Sequence, residues 1–159
     1  MAPKEPNAPY IKQISIYLQQ EEYTKALGLA EEFAEKFPDS MAAHFLAAKS
    51  AFWLNDFKTA KKEAQTAFNL SEGEEELAVS GILLACSHYQ LKEYKKGLEI
   101  LALLKSRMDG KEEIMKLKFV FALALNDEPA ARRHLEDLYS INRKEASAIM
   151  LKFLKKGRE

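Results

Sequence analysis

Apolar positions in this chain fall three and four residues apart almost from end to end. Ile11, Ile14, Tyr17 and Leu18 share one face of a helix. Leu27, Ala30, Phe33, Ala34 and Phe37 share another, as do Leu98, Leu101, Leu104 and Met108, and Leu135, Leu138 and Tyr139. No stretch sustains strand-like alternation bounded by turn dipeptides. The pattern predicts an all-α protein.

Punctuating residues cut this pattern into short helices. Pro9 suits a first helical turn, where its missing N–H would have no partner anyway. Pro38 followed by Asp39 and Ser40 ends one helix and caps the next. Ser71 and Glu74 have the spacing of a capping box, and Asn142 with Glu145 resembles a second. Gly110 suits a helix stop, and Asp127 before Pro129 a start. The predicted helices are 9–20, 22–37, 40–53, 56–70, 74–90, 93–108, 111–126, 128–140 and 143–156. Joints of a few residues make successive helices antiparallel. The longer joint, Ser71 to Glu76, reads as a solvated loop leading into an acidic first turn, which suits the positive end of the helix dipole.

A short phrase recurs at the joints: Tyr23-Thr24-Lys25-Ala26-Leu27, Phe57-Lys58-Thr59-Ala60-Lys61 and Tyr94-Lys95-Lys96-Gly97-Leu98, with a degenerate copy at Glu128-Pro129-Ala130-Ala131-Arg132. The small residues Ala26, Ala60, Gly97 and Ala131 are separated by 34, 37 and 34 residues. A period of this size marks one supersecondary unit stacked on copies of itself. The three extra residues of the middle interval lie in the Ser71–Glu76 joint.

These helix pairs resemble tetratricopeptide repeats, whose unit is a 34-residue helix–turn–helix. The likeness is carried by the acidic–aromatic dipeptides Glu22-Tyr23, Asp56-Phe57 and Glu93-Tyr94, each followed three residues on by Ala26, Ala60 or Gly97. The small residue lets paired helices approach, and the aromatic plugs the turn. The first helices match less well. The family's tryptophan is replaced by Tyr10, His44, Gly81 and Met115. Its closely packed small residue survives as Ala48 and Ala85 but becomes Ile14 and Phe119 in the outer units. The closing proline occurs once, as Pro38.

The resemblance implies a right-handed superhelical array of antiparallel helix pairs. Its units are 7–40, 41–77, 78–111 and 112–145, after a flexible tail at 1–6. Residues 146–159 supply a capping helix and basic tail. Ala146, Ile149, Met150, Phe153 and Leu154 form the stripe that docks on unit four, as the end of such an array requires.

In this family the first helix of each pair lines a concave face that binds peptides or helices of other proteins. Helical spacing places Ile11, Ser15 and Leu18 there in unit one, and Phe45, Lys49 and Phe52 in unit two. Unit three offers Val79, Ile82, Cys86 and Tyr89. Unit four offers Lys116, Val120 and Leu123. The face is apolar and aromatic. It lacks the basic cluster with which some relatives grip a terminal carboxylate. It suits a hydrophobic segment anchored on Phe45, Phe52 and Tyr89. Self-association through the same face, or use of these residues as plain core, are the alternatives.

Composition narrows the rest. Lys+Arg and Asp+Glu are 24 each in 159 residues, so the formal charge is zero and the basic excess of a nucleic-acid binder is missing. The longest apolar run, Phe119 to Leu125, is too short for a membrane span of roughly 20 residues. A single cysteine, Cys86, and an N-terminus without a signal-peptide core fit the cytoplasm. His44, His88 and His134 lie in different pairs, and Cys86 and His88 point to different sides of one helix. No phosphate-binding loop is present. The expectation is a non-catalytic adaptor or co-chaperone that uses no cofactor or metal. A small chaperone of secreted or membrane-associated proteins, or a homo-oligomeric scaffold, is the runner-up. The six basic residues between Arg143 and Arg158 serve solubility and the helix dipole before any contact with an anionic surface.

Overall fold

The computed structural model describes residues 7–104 and 108–156, with backbone alone at 108–110 and 153–156. The tail at 1–6 lies outside the described residues. Within them the chain forms nine helices and no strand: α1 (Ala8–Gln19), α2 (Tyr23–Lys36), α3 (Met41–Trp53), α4 (Phe57–Leu70), α5 (Glu74–Gln90), α6 (Tyr94–Leu103), α7 (Met108–Ala124), α8 (Glu128–Ile141) and α9 (Arg143–Lys156).

The hairpins close with one turn used four times. Glu21, Asn55, Lys92 and Asn126 have φ of 58°, 61°, 60° and 55°. Each follows the first helix of a pair. The next amide in each case donates back five residues: Glu22 to the Tyr17 carbonyl, Asp56 to Ala51, Glu93 to His88 and Asp127 to Ala122, at 2.8–3.0 Å. The left-handed residue itself donates three residues back, as Lys92 does to Tyr89 at 2.9 Å. This is the Schellman arrangement, which satisfies carbonyls a helix end would otherwise leave unpaired. The second helix then starts at once. Asp56 and Asp127 cap it by accepting from the amides of Thr59 and Ala130.

Small side chains set how closely the helices lie. Ala26, Ala30, Ala43, Ala47, Ala48, Ala51, Ala60, Ala64 and Ala67 are fully buried, so α2, α3 and α4 meet almost backbone to backbone. Ser50 and Ser87 are buried among them and donate to their own helix, at the carbonyls of Leu46 and Leu83, 2.8 Å each. The core is a chain of linked clusters. One joins α1 to α3 around Ile14 and Phe33, one joins α3, α4 and α5 around Leu84, one joins α5 to α7 around Leu101 and Phe121, and one joins α7 to α9 around Phe119 and Ala131. Each unit thus packs only on its neighbours, as in a solenoid.

The position where Tyr10, His44, Gly81 and Met115 stand is handled differently in each unit. Tyr10 stacks on Phe33 with ring centres 4.9 Å apart. His44 directs Nδ1 at the Glu63 carboxylate (2.6 Å) and Nε2 at the Pro38 carbonyl (2.8 Å), tying the inter-unit joint to α4. Gly81 leaves room for Leu104, whose Cδ2 would lie 2.5 Å from a methyl group placed there. Met115 packs against the α5–α7 cluster.

That use of Leu104 corrects two expectations. The helix predicted to 108 stops at Leu103. Leu104 turns extended (φ −82°, ψ 118°) and is buried over Gly81. Gly110, read as a stop, lies inside α7. The Ser71–Glu74 capping box is also absent. Gly73 is the N-cap of α5. Ser71 Oγ is turned away, donating to the Ala67 carbonyl at 2.8 Å and pairing with Ser80 Oγ at 3.0 Å. The second capping box is half formed, with the Glu145 amide donating to Asn142 Oδ1 at 3.1 Å.

Two glycines give opposite expectations. A methyl group at Gly97 would strike the Phe121 ring and reach 3.3 Å from the Ala85 carbonyl oxygen, whereas one at Gly28 meets nothing within 4 Å. Gly97→Ala should destabilise the fold by about 1–3 kcal/mol through overpacking, despite its better helix propensity. Gly28→Ala should stabilise it by about 0.5–1 kcal/mol. Urea unfolding of the two variants checks both signs.

Candidate functional site

The curvature of the array follows from which helices touch. Among the described residues, the backbones of α1 and α3, of α3 and α5 and of α5 and α7 approach closely, while no second helix brings its backbone near that of the next second helix. The first helices therefore crowd one side and the second helices fan out on the other. The crowded side is the concave one, and the predicted groove residues come from its helices.

They fall in three tiers. At the turn end, Leu18, Phe52 and Tyr89 are half-buried and packed locally. Phe52 meets Phe57 edge-on at 5.3 Å and Trp53 at 6.5 Å. Tyr89 meets Tyr94 at 5.2 Å and Phe121 at 5.3 Å. Leu18 packs on the first cluster. In the middle tier, Ser15 and Cys86 are half-buried and Lys49 is exposed. At the open end, Ile11, Phe45 and Val79 come together around a hollow of about 380 Å³, shared with Met41, Ala42, Leu46, Glu75 and Glu76. Val79 is 47% exposed, high for a valine on a packed helix. Ile82 leans into the α5–α7 cluster instead.

Sequence reasoning missed Met41, Glu75 and Glu76 as members of this hollow. The signal was available. Met41 lies four residues before Phe45, and Glu75 and Glu76 lie four and three before Val79, so each pair shares a helix face.

In unit four, Val120 is exposed, Leu123 packs toward the last cluster, and Lys116 Nζ sits 3.1 Å from both Glu112 Oε1 and Glu145 Oε1. Those carboxylates hold the Lys116 ammonium above its usual range, Glu145 most of all. The pairing ties α7 to α9. Ala146 of α9 is fully buried and Ile149 packs on the last cluster. Met150 is 45% exposed beside a second hollow of about 840 Å³, lined by Phe119, Leu123, Ala131, Leu135 and Tyr139. The predicted docking stripe continues to Phe153 and Leu154, whose side chains lie outside the described residues.

The titratable groups are built into packing. Burial pushes the Cys86 thiol up to about 11, helped by the Glu113 carboxylate. Burial pushes His88 below its ordinary value near 6.5, with Lys61 adding to the effect and Glu93 opposing it. His88 Nδ1 is 3.6 Å from Glu93 Oε1, beyond hydrogen-bond length. Burial depresses His134 as well, and Lys118 adds to it. Glu93 receives Lys61 Nζ at 2.8 Å and Lys96 Nζ at 3.1 Å, which hold its carboxyl down at about 2 and bridge α4 to the α5–α6 turn. Among the described residues, no group of three or more His, Cys, Asp and Glu is placed to hold a metal ion. No described helix is long and apolar enough to cross a membrane.

A concave face built from first helices, behind hairpins closed by one repeated turn, is the tetratricopeptide-repeat fold. Among solved structures the chain is similar to YrrB, described as a TPR protein with an unusual peptide-binding site, with a TM-score of 0.56 at 16% identity over 94% of this chain and 93% of that one. No family model and no curated protein matches the sequence.

Two predictions concern the titratable groups. The unfolded chain binds protons on His88 and His134 more readily than the folded one, so stability is full above about pH 6.5 and falls as acid is added below it. The slope should not exceed about 1.4 kcal/mol per pH unit for each histidine. Urea titrations between about pH 7.5 and pH 5.5 should show the loss, with a flatter profile in His88→Gln. Cys86 in the folded protein should react with iodoacetamide at least about tenfold more slowly than in the urea-unfolded chain, because so little of it is thiolate.

Proposed function

We propose that this protein is a non-catalytic interaction module of the cytoplasm, an adaptor or co-chaperone, that receives an apolar segment of another protein on its concave face. The observation that carries this reading is the cluster of Ile11, Phe45 and Val79 around an open hollow on the side where the first helices crowd together. Their side chains come from three successive units, so the shape of the hollow depends on the stacking of the array and not on a mobile loop. A preformed apolar surface of this kind lowers the ordering cost of binding. The likeness in fold to YrrB, which has a peptide-binding site, supports the same reading. Phe45 is the anchor. Phe52 and Tyr89, at the turn end, border the groove while bracing the hairpins.

Affinity capture followed by mass spectrometry tests the reading. Phe45→Ala should lose its partners, with binding reduced by about thirtyfold for an anchor worth roughly 2 kcal/mol. Leu103→Ser, at a 65% exposed position on a second helix, should keep them. Circular dichroism confirms that both variants fold. Equal capture by wild type and folded Phe45→Ala removes the groove from the account.

A further inference from the structure

We infer that the segment received by this groove is amphipathic and basic, with apolar side chains over Ile11, Phe45 and Val79 and lysine or arginine against Glu75 and Glu76. The inference rests on the groove reading above and adds the partner's charge. Glu75 and Glu76 form the edge of the hollow, one helical turn before Val79. Both are exposed, and among the described residues neither is in an ion pair. Among the described residues the Glu76 carboxylate accepts one hydrogen bond, from the backbone amide of Glu72 at 3.0 Å.

Farther along the face stands Glu113, exposed, likewise outside any ion pair among the described residues, and near enough to Cys86 to act on its thiol. Among the residues assigned to the face by spacing, the cations are Lys49 and Lys116. Lys116 is taken up by Glu112 and Glu145, which leaves Lys49 against three carboxylates. A chain of zero formal charge thus presents a locally acidic apolar trough.

Charge complementarity follows. A lysine or arginine can lay its methylenes along Ile11 or Val79 while its charged end reaches a carboxylate at the rim. An acidic segment would bring like charges together beside an apolar wall, where repulsion is screened less than in open water.

Three fluorescein-labelled peptides sharing one apolar pattern, filled out with Lys, Gln or Glu, test this by fluorescence anisotropy. The Lys peptide should bind tightest and lose its advantage as salt is raised. The triple variant Glu75→Gln, Glu76→Gln, Glu113→Gln should weaken the Lys peptide by about three- to tenfold, the yield of a few exposed ion pairs, and leave the Gln peptide unchanged. Glutamine keeps the acceptor that Glu76 offers Glu72 but gives up two first-turn carboxylates of α5, so circular dichroism checks that the variant keeps its fold. Equal binding of all three peptides, each weakened by Phe45→Ala, would overturn the charge inference and leave the groove standing. No binding by any of them would overturn both. A second copy of the chain, whose α9 carries Arg143, Lys144 and Lys152, is the competing occupant. Concentration-dependent dimerisation abolished by the triple glutamine variant would assign the groove to it and overturn the inference.

Discussion

The structure depends on a tight turn that reverses the chain after each first helix. Its left-handed residue and the amide that reaches back five positions fix where the second helix begins, and therefore the angle between the two. Asn55 and Asn126 take this conformation readily. Glu21 and Lys92 do not, and they hold it because the residues on either side over-determine the path. Ala26, Ala60, Gly97 and Ala131 then set the distance between the paired helices. With angle and distance repeated, the pairs stack by one rule, and the first helices converge on a common concave side.

The exceptions to the repeat are exchanges of volume between neighbouring positions. Where the outer units carry Ile14 and Phe119 at a site that holds Ala48 and Ala85 in the inner ones, the larger side chain is still buried. Gly81 is filled by Leu104 and Phe68, and Gly97 by Phe121. Burying an aromatic ring of this size contributes about 2–3 kcal/mol. A glycine that admits the ring therefore offsets its own weak helix propensity, which costs about 1 kcal/mol. Read as isolated residues, these glycines look like defects. Read against the facing helix, they are the other half of a packed pair.

This explains what the sequence disclosed and what it hid. Helix count, antiparallel pairing and the repeat were legible because helical period and turn chemistry are local. The end of α6 was not. It is decided by Leu104 reaching a cavity more than twenty residues away in sequence. Ser71 looked like a cap because its spacing to Glu74 is right. The nearby Ala67 carbonyl and Ser80 hydroxyl offered its Oγ other partners. The proposed groove was read as three or four positions on each first helix. Its tiers were not, since they depend on contacts across the hairpin and between units: Tyr89 meets Tyr94 of its own unit and Phe121 of the next, while Val79 stays open.

The same division of labour bears on how such a face acquires a partner. Fold-determining residues occupy the contacts between helices, where a change of one methyl group is felt. Ile11, Phe45, Val79, Glu75 and Glu76 stand on the remaining surface of the same helices, anchored by a backbone that other residues hold in place. Glu75, Glu76 and Val79 are exposed, so their chemistry can change with little effect on the stack, whereas Ile11 also packs on the first cluster. The second helices expose both signs of charge, Lys58, Lys62, Lys95, Arg132 and Arg133 beside Glu31, Glu32, Glu35, Glu99, Glu136 and Asp137, away from the concave side. The charge at any one stretch of the concave side is therefore set locally, by which carboxylates and ammonium groups the stacking of neighbouring units brings together, and not by a difference between first and second helices.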